Sequence, residues 1–216
     1  MFTFTDKKVG SLLTDEKCFN DLYDLYKNRN FKKKLVLVLE NRIAYELPLK
    51  MISVKWAVAC AERCLHFFEE ARPNDNRPRK AIEAAKQWII DPTINIADAD
   101  AAADAADAVV NNAYAVNAAV YYAAYSASAA ADAAHYTDAH YANAAANAAY
   151  ASSTSTSAAN ANAANAAIVE QKWSRNKLKE IVGEYINDYK KDLKNILIVR
   201  VNIIPELSDI IIKYVV

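Results

Sequence analysis

The residues best suited to chemistry are few and sit in three small groups. His66 has Glu62 four residues before it, and Glu69 and Glu70 three and four after it. On one helix that spacing puts an imidazole and carboxylates on a shared face, the minimum for a metal site or a proton relay. It also describes a solvated face of i,i+4 pairs, and it matches no zinc or di-iron spacing. Asp132, His135 and Asp138 form a second group at helical spacing, with His140 close behind. Cys60 and Cys64 are the third. They fall on apolar stripes, where a thiol is inert rather than nucleophilic. The chain holds only two glycines, which nearly excludes glycine-dependent phosphate or dinucleotide cradles, and no G-x-S-x-G elbow occurs. These patterns predict a chain with no catalytic residues, no bound metal and no cofactor. A metal-dependent enzyme is the third-ranked reading.

The loop Arg72-Pro73-Asn74-Asp75-Asn76-Arg77-Pro78-Arg79 is a different kind of candidate. Two prolines stiffen it, and Arg72, Asp75, Arg77 and Arg79 put three cations and one carboxylate on it. One reading is a rigid basic lip that binds an acidic protein partner. The other is an Arg–Glu network tying two helices together, with Glu62, Glu69 and Glu83 as partners.

The elements flanking this loop are helical by periodicity. From Ile52 to Ala71, Val54, Val58, Ala61, Leu65 and Phe68 make one apolar stripe, and Trp56, Cys60, Cys64 and Phe67 an adjoining one. So wide an apolar face belongs to a central helix packed on two sides. Pro78 then opens a helix that buries Ala81, Ala85, Trp88 and Ile89, ended by Asp91-Pro92. Trp56, Cys60, Leu65, Phe68, Trp88 and Trp173 are the expected core anchors.

Ala97 to Ala167 is about half alanine and contains no Lys, Arg, Glu, Leu, Gly or Pro. Alanine has the best helix propensity. Asp100, Asp104, Asp107, Asn111, Tyr114, Tyr121, Tyr125, Ser128, Asp132 and His135 recur at steps of three, four or seven, a polar stripe facing water or a partner while the alanine faces pack closely. A single helix of ~70 residues would run about 105 Å, so several shorter helices are expected. Turns are placed at Asn111-Asn112, Thr137-Asp138 and Ser152–Ser157. Ala102, Ala105 and Ala119 should face neighbouring helices. Near the N-terminus Thr14 can cap a helix with Phe19, Leu22, Tyr23 and Tyr26 on one face. The run Leu35–Leu39 suits strand or helix by length; the stripe Leu35, Leu39, Ile43, Leu47 selects helix. Val169 to Leu193 is helical in spacing. Ile196 to Ile204 is β-branched and strand-like, and Pro205 opens a last helix.

Composition sets outer bounds. At 216 residues the chain suits one domain. Its net charge is zero and no basic groove is visible, which argues against nucleic acid. No run of 18 apolar residues exists, so no membrane partner is expected. Met1 to Gly10 shows no secretory h-region, and three cysteines, two of them four apart, suit a reducing cytoplasm.

Residues 56–86 carry a resemblance. Trp56 to Glu69 match W-A-x-x-C-A-E-R-x-L-x-x-F-E, Arg72 to Arg79 match R-P-x-D-x-R-P-R, and Ala81 to Ala84 match A-I-E-A. With an alanine-rich region and a later helix start at Glu170 and Trp173, the chain over roughly 50–185 resembles the immunity-protein-five-like family of bacterial polymorphic toxin systems. The resemblance implies a non-enzymatic protein that binds and neutralises a toxin. The rival is a structural or scaffold protein, such as a viral component, whose tyrosine-studded stripe drives self-assembly into a homo-oligomer. The expected fold is an all-α, compact multi-helix bundle with an alanine-rich, closely packed core. It forms a single helical domain over 1–216: an N-terminal helical extension over 1–50, a family-like core over 51–185 and a C-terminal helical extension over 186–216.

Overall fold

The computed structural model describes residues 2–6, 9–13, 23, 34–39, 42–46, 48–94, 101, 103–107, 118–136, 140–160 and 162–200. Among the described residues five long helices form the bundle: α1 (Leu49–Ala71), α2 (Arg77–Ile90), α3 (Ala118–His135), α4 (His140–Ala159) and α5 (Ala163–Arg200). Residues 103–107 are also helical.

Helix α1 is central, as its double stripe predicts, and packs against all four of the others. It buries Ile52, Val54, Trp56, Ala57, Val58, Cys60, Ala61, Cys64, Leu65 and Phe68. Helix α2 lies on α1 and α3, with Ala81 against Ala103, Ala106 and Ala131. Helix α5 closes the other side on α1 and α4 through Leu178, Ile181, Val182 and Ile186.

Helices α3 and α4 form the alanine-packed centre. Ala123, Ala124, Ala127, Ala130, Ala133 and Ala134 of α3 and Ala145, Ala148 and Ala151 of α4 are fully buried. Methyl-sized side chains let the backbones approach, and buried serines exploit this by reaching a neighbour's carbonyl. Ser126 Oγ donates to Ala148 O at 2.9 Å, and Ser155 Oγ donates to Ala119 O at 2.7 Å. The expected closely packed helical bundle is what the structure shows over the described residues between Leu49 and Arg200.

Two expectations inside the alanine tract are corrected. Ser152–Ser157 is not a turn but part of α4. Two of its hydroxyls bond within the helix: Thr154 Oγ1 donates to Tyr150 O at 2.9 Å and Ser157 Oγ to Ser153 O at 2.8 Å. Nor is the polar stripe uniformly wet. Asp104 and Asp107 are exposed, but Ser128 is fully buried and donates to Asp107 Oδ1 at 2.6 Å. Ala119 is buried as expected and Ala105 only partly. The turn at Asn111-Asn112, the turn residues Thr137-Asp138, Asp100, Tyr114, Ala102 and the helix after Pro205 lie outside the described residues. Helix α3 ends just before Thr137.

The N-terminal segment corrects the expected helical extension over 1–50. Strands β1 (Phe2–Asp6), β2 (Val9–Leu13), β3 (Lys34–Leu39) and β4 (Arg42–Glu46) make an antiparallel sheet in the order β2-β1-β3-β4. The run Leu35–Leu39, read as helix, is therefore strand. Its valines are β-branched and favour a pleated sheet. It pairs with β1 through Phe2↔Leu37 and Phe4↔Leu35 and with β4 through Leu39↔Arg42. The partner strand is the alternating Phe2-Thr3-Phe4-Thr5, a period-two signal. The β3/β4 register shifts between Leu37 and Val38. Of the helix expected from Thr14, only Tyr23 is described, and it is helical. The strand-like segment after Ile196 continues α5 as helix as far as Arg200.

Candidate functional site

The motif residues on α1 face α5. Trp56, Cys60 and Arg63 stand at i, i+4 and i+7, one face of the helix. Opposite them, Glu170, Trp173 and Ser174 occupy the first half of α5. Trp56 Nε1 donates to Ser174 O at 2.9 Å and to Ser174 Oγ at 3.1 Å. Cys60 Sγ lies 3.5 Å from the same hydroxyl. Arg63 then grips Glu170 with both arms: Nε donates to Oε2 at 2.6 Å and Nη2 to Oε1 at 2.7 Å. The guanidinium carbon also sits 4.4 Å from the centroid of the Trp173 ring, a cation–π contact. Glu170 is buried, so its charge is out of water and depends on Arg63. The hydrogen bond to Glu170 raises the Arg63 pKa further above its ordinary value.

Burial pushes the Cys60 thiol up to about 12 and the Cys64 thiol up to about 11. Both are free cysteines, and at neutral pH both are protonated, which makes them weak nucleophiles.

The stiff loop and α2 face α1 from the other side. Arg79 Nε and Nη2 donate to Glu69 Oε1 and Oε2 at 2.6 and 2.7 Å. Lys86 Nζ lies 2.7 Å from Glu62 and 3.1 Å from Glu83. Inside the loop, Arg77 pairs both guanidinium arms with Asp75, at 2.9 and 2.7 Å, and its backbone N–H donates to Asp75 Oδ1 at 3.2 Å. The Arg77 hydrogen bonds hold the Asp75 carboxyl below the usual aspartate value. The backbone N–H of Arg72, whose side chain is partly buried, donates to Phe68 O at 2.8 Å and closes α1. Arg79 and Glu69 are thus partners as the network reading expects, while Glu62 and Glu83 take Lys86 instead of an arginine. Asp75 and Arg77 thus pair with each other inside the loop and Arg79 with Glu69, all at positions that keep contact with water.

Each expected core anchor is placed inward: Trp56, Cys60, Leu65, Phe68 and Trp88 are buried, and Trp173 is partly buried over Arg63. Helical periodicity found them because their bulk marks one face of α1 and α2. The histidines stay apart from this seam. His66 is exposed and stacks near Phe67 at 4.0 Å, and His135 and His140 flank Tyr136 at 5.5 and 5.6 Å. Among the described residues no three His, Cys, Asp or Glu side chains gather as a metal site would require. Asp138 lies outside the described residues.

One concave feature adjoins the α1/α5 seam. A cleft of about 640 Å³ opens between α4 and α5. Trp56 and Ser174 form its floor, Tyr150, Ser153 and Thr154 its α4 wall, and Ile168, Lys172 and Arg175 its α5 wall. The Tyr23 ring stands 6.4 Å from Trp56, edge-on, at the rim. Tyr150 is 63% exposed and Ile168 64% exposed, both unusually open for large apolar side chains. Sequence reasoning missed this cleft. Its walls come from residues that do not share one helix, and α4 was divided by a supposed turn.

The model of the Imm-5 like putative immunity protein family matches residues 45–181, and the chain belongs to that family. The match takes in α1 to α4 and the first half of α5, hence the seam and nearly all of the cleft lining. A search of curated proteins and a search of solved structures each returned no match.

Proposed function

We propose that this chain is a non-enzymatic protein that neutralises a toxin by binding it. The observation that carries this reading is the family match over residues 45–181. The geometry agrees with it. The groups that chemistry would draw on serve packing: two thiols held protonated by burial, and a carboxylate locked to Arg63. Open to a partner is a surface with exposed Tyr150, Ile168 and Val169, beside the cations Lys172 and Arg175. Aromatic and arginine side chains are enriched in protein interfaces. Among the described residues no helix is long and apolar enough to cross a membrane. Free Cys60 and Cys64 support action in the reducing cytoplasm.

The test is neutralisation. Bacteria expressing a toxin domain from a polymorphic toxin system of the source organism should recover growth when the full chain is co-expressed. The two proteins should also co-elute as a discrete complex. Failure of every such toxin domain to bind the purified chain would overturn the reading. An open-ended assembly of the chain alone would favour the scaffold alternative.

A further inference from the structure

We propose that the cleft between α4 and α5 receives an acidic segment of the partner protein, with an aromatic or branched aliphatic side chain seated between Tyr150 and Ile168. This deepens the protein-binding reading above and rests on it.

Charge supports the assignment. Of the residues lining the cleft, Lys172 and Arg175 are charged, and both are cations; none is acidic. Ile168, Lys172 and Arg175 stand at i, i+4 and i+7, so they share one face of α5. Lys172 makes no ion pair among the described residues, unlike Lys86 or Lys177, which are paired with glutamates. Arg175 rests loosely near the Tyr23 ring, 5.5 Å from its centroid. A carboxylate entering here meets two positive charges one turn apart.

The remaining surface suits a polypeptide rather than a free ion. The Trp56 indole N–H is already committed to Ser174, so the nearly buried ring closes the base of the cleft without offering a donor there. The hydroxyls of Thr154 and Ser157 donate into their own helix, which leaves their oxygens as acceptors for a visiting backbone N–H. Tyr150 and Ile168 supply exposed apolar walls on opposite sides. The volume falls within the roughly 300–1,000 Å³ of clefts that enclose most of a drug-sized ligand, a size that suits a short inserted segment and not a folded domain.

The experiment uses the full-length chain, immobilised and panned against a phage-displayed library of random linear peptides at low salt. The expected result is enrichment of peptides carrying Asp or Glu close to an aromatic or branched aliphatic residue. A synthetic peptide of that kind should lose affinity roughly tenfold or more against Lys172→Glu/Arg175→Glu, since like charges then face each other. It should bind Lys80→Glu, altered on the exposed face of α2, as well as wild type. Lys172→Gln/Arg175→Gln gives a milder loss and serves if the charge reversal folds poorly. Absence of any enriched peptide, enrichment without acidic residues, or equal binding to the double variant overturns the proposal. So does a wild-type dimer in sedimentation that Ile168→Asp dissociates, because the occupant would then be a second copy of the chain. A toxin that binds wild type and double variant equally defeats the cleft assignment alone. Acidic peptides that bind through Lys172 and Arg175, in a chain no toxin engages, defeat the neutralisation reading alone.

Discussion

Helix α1 makes two bidentate arginine–carboxylate bridges, one at each side, and their bond lengths are the same. Arg63 reaches Glu170 of α5 and Glu69 receives Arg79 of α2, both at 2.6 and 2.7 Å. Their surroundings differ. The Glu170 side chain is 6% exposed, whereas Glu69 is 33% and Arg79 52% exposed. An exposed pair competes with water and salt and contributes little. A carboxylate removed from water depends on its partner, so breaking that pair is far more costly than the same bond length suggests. The α5 side of α1 is therefore a committed seam and the α2 side a solvated brace.

The largest effect should come from the floor of the seam. Trp56→Ala removes a buried indole and the donor to Ser174, and should destabilise by ~3–5 kcal/mol in chemical denaturation. A melting temperature close to wild type would show that the seam is not a core element.

Breaking the two bridges singly tests the comparison directly. Glu170→Ala should cost about 2–3 kcal/mol, below the full range for a buried pair because Arg63 keeps some access to water. Glu69→Ala should cost under about 1 kcal/mol, and that cost should shrink further in 1 M salt. Equal losses would erase the distinction between seam and brace.

Overpacking probes the alanine centre between the two sides. Ala127→Leu should destabilise by ~1–3 kcal/mol although leucine is a good helix former, because Ala127 is fully buried. Asp104→Leu, at an exposed position, should stay within about 0.5 kcal/mol. Ser128, placed by sequence on the wet stripe, should instead behave like Ala127.

The smallest effect concerns the loop. Asp75 has a depressed pKa through its Arg77 hydrogen bonds. A carboxyl whose folded value lies below its unfolded one stabilises the fold above the unfolded value. That contribution is lost as pH falls from the ordinary 3.8 through the folded value. Asp75→Asn should thus lower stability slightly at pH 7, by under about 0.5 kcal/mol for so exposed a pair. The difference from wild type should vanish under strongly acid conditions. A difference that persists at acid pH would assign Asp75 a role other than its charge.

How much was legible in the chain depends on side-chain contrast. Bulky apolar residues at helical steps marked the faces of α1 and α2, so Trp56, Leu65, Phe68 and Trp88 could be placed inward. Alanine carries little such contrast, so the inner face of a tract half made of it was legible only in part: Ala119 was placed inward, while Ser128 was put on the wet stripe and is buried. Ser152–Ser157 illustrates the result, since hydroxyls that can cap a turn can equally bond the carbonyl four residues back or a neighbouring helix. At the N-terminus the run Leu35–Leu39 fits both periods. What decides it is pairing with Phe2–Asp6, about thirty residues away.

Sequence alone determined that a bulky helix would sit at the centre, that alanine would pack around it, and that a stiff charged loop would join α1 to α2. These follow from local propensity and periodicity, which act within a few residues. Tertiary structure decided which charges meet. Arg63 and Glu170 are 107 positions apart, and no local rule selects that pair over the other carboxylates. It also decided that Trp56, Tyr150 and Lys172 border one cleft. Burial, desolvation and the choice of partner are properties of the packed chain, and they set what each of these side chains is free to do.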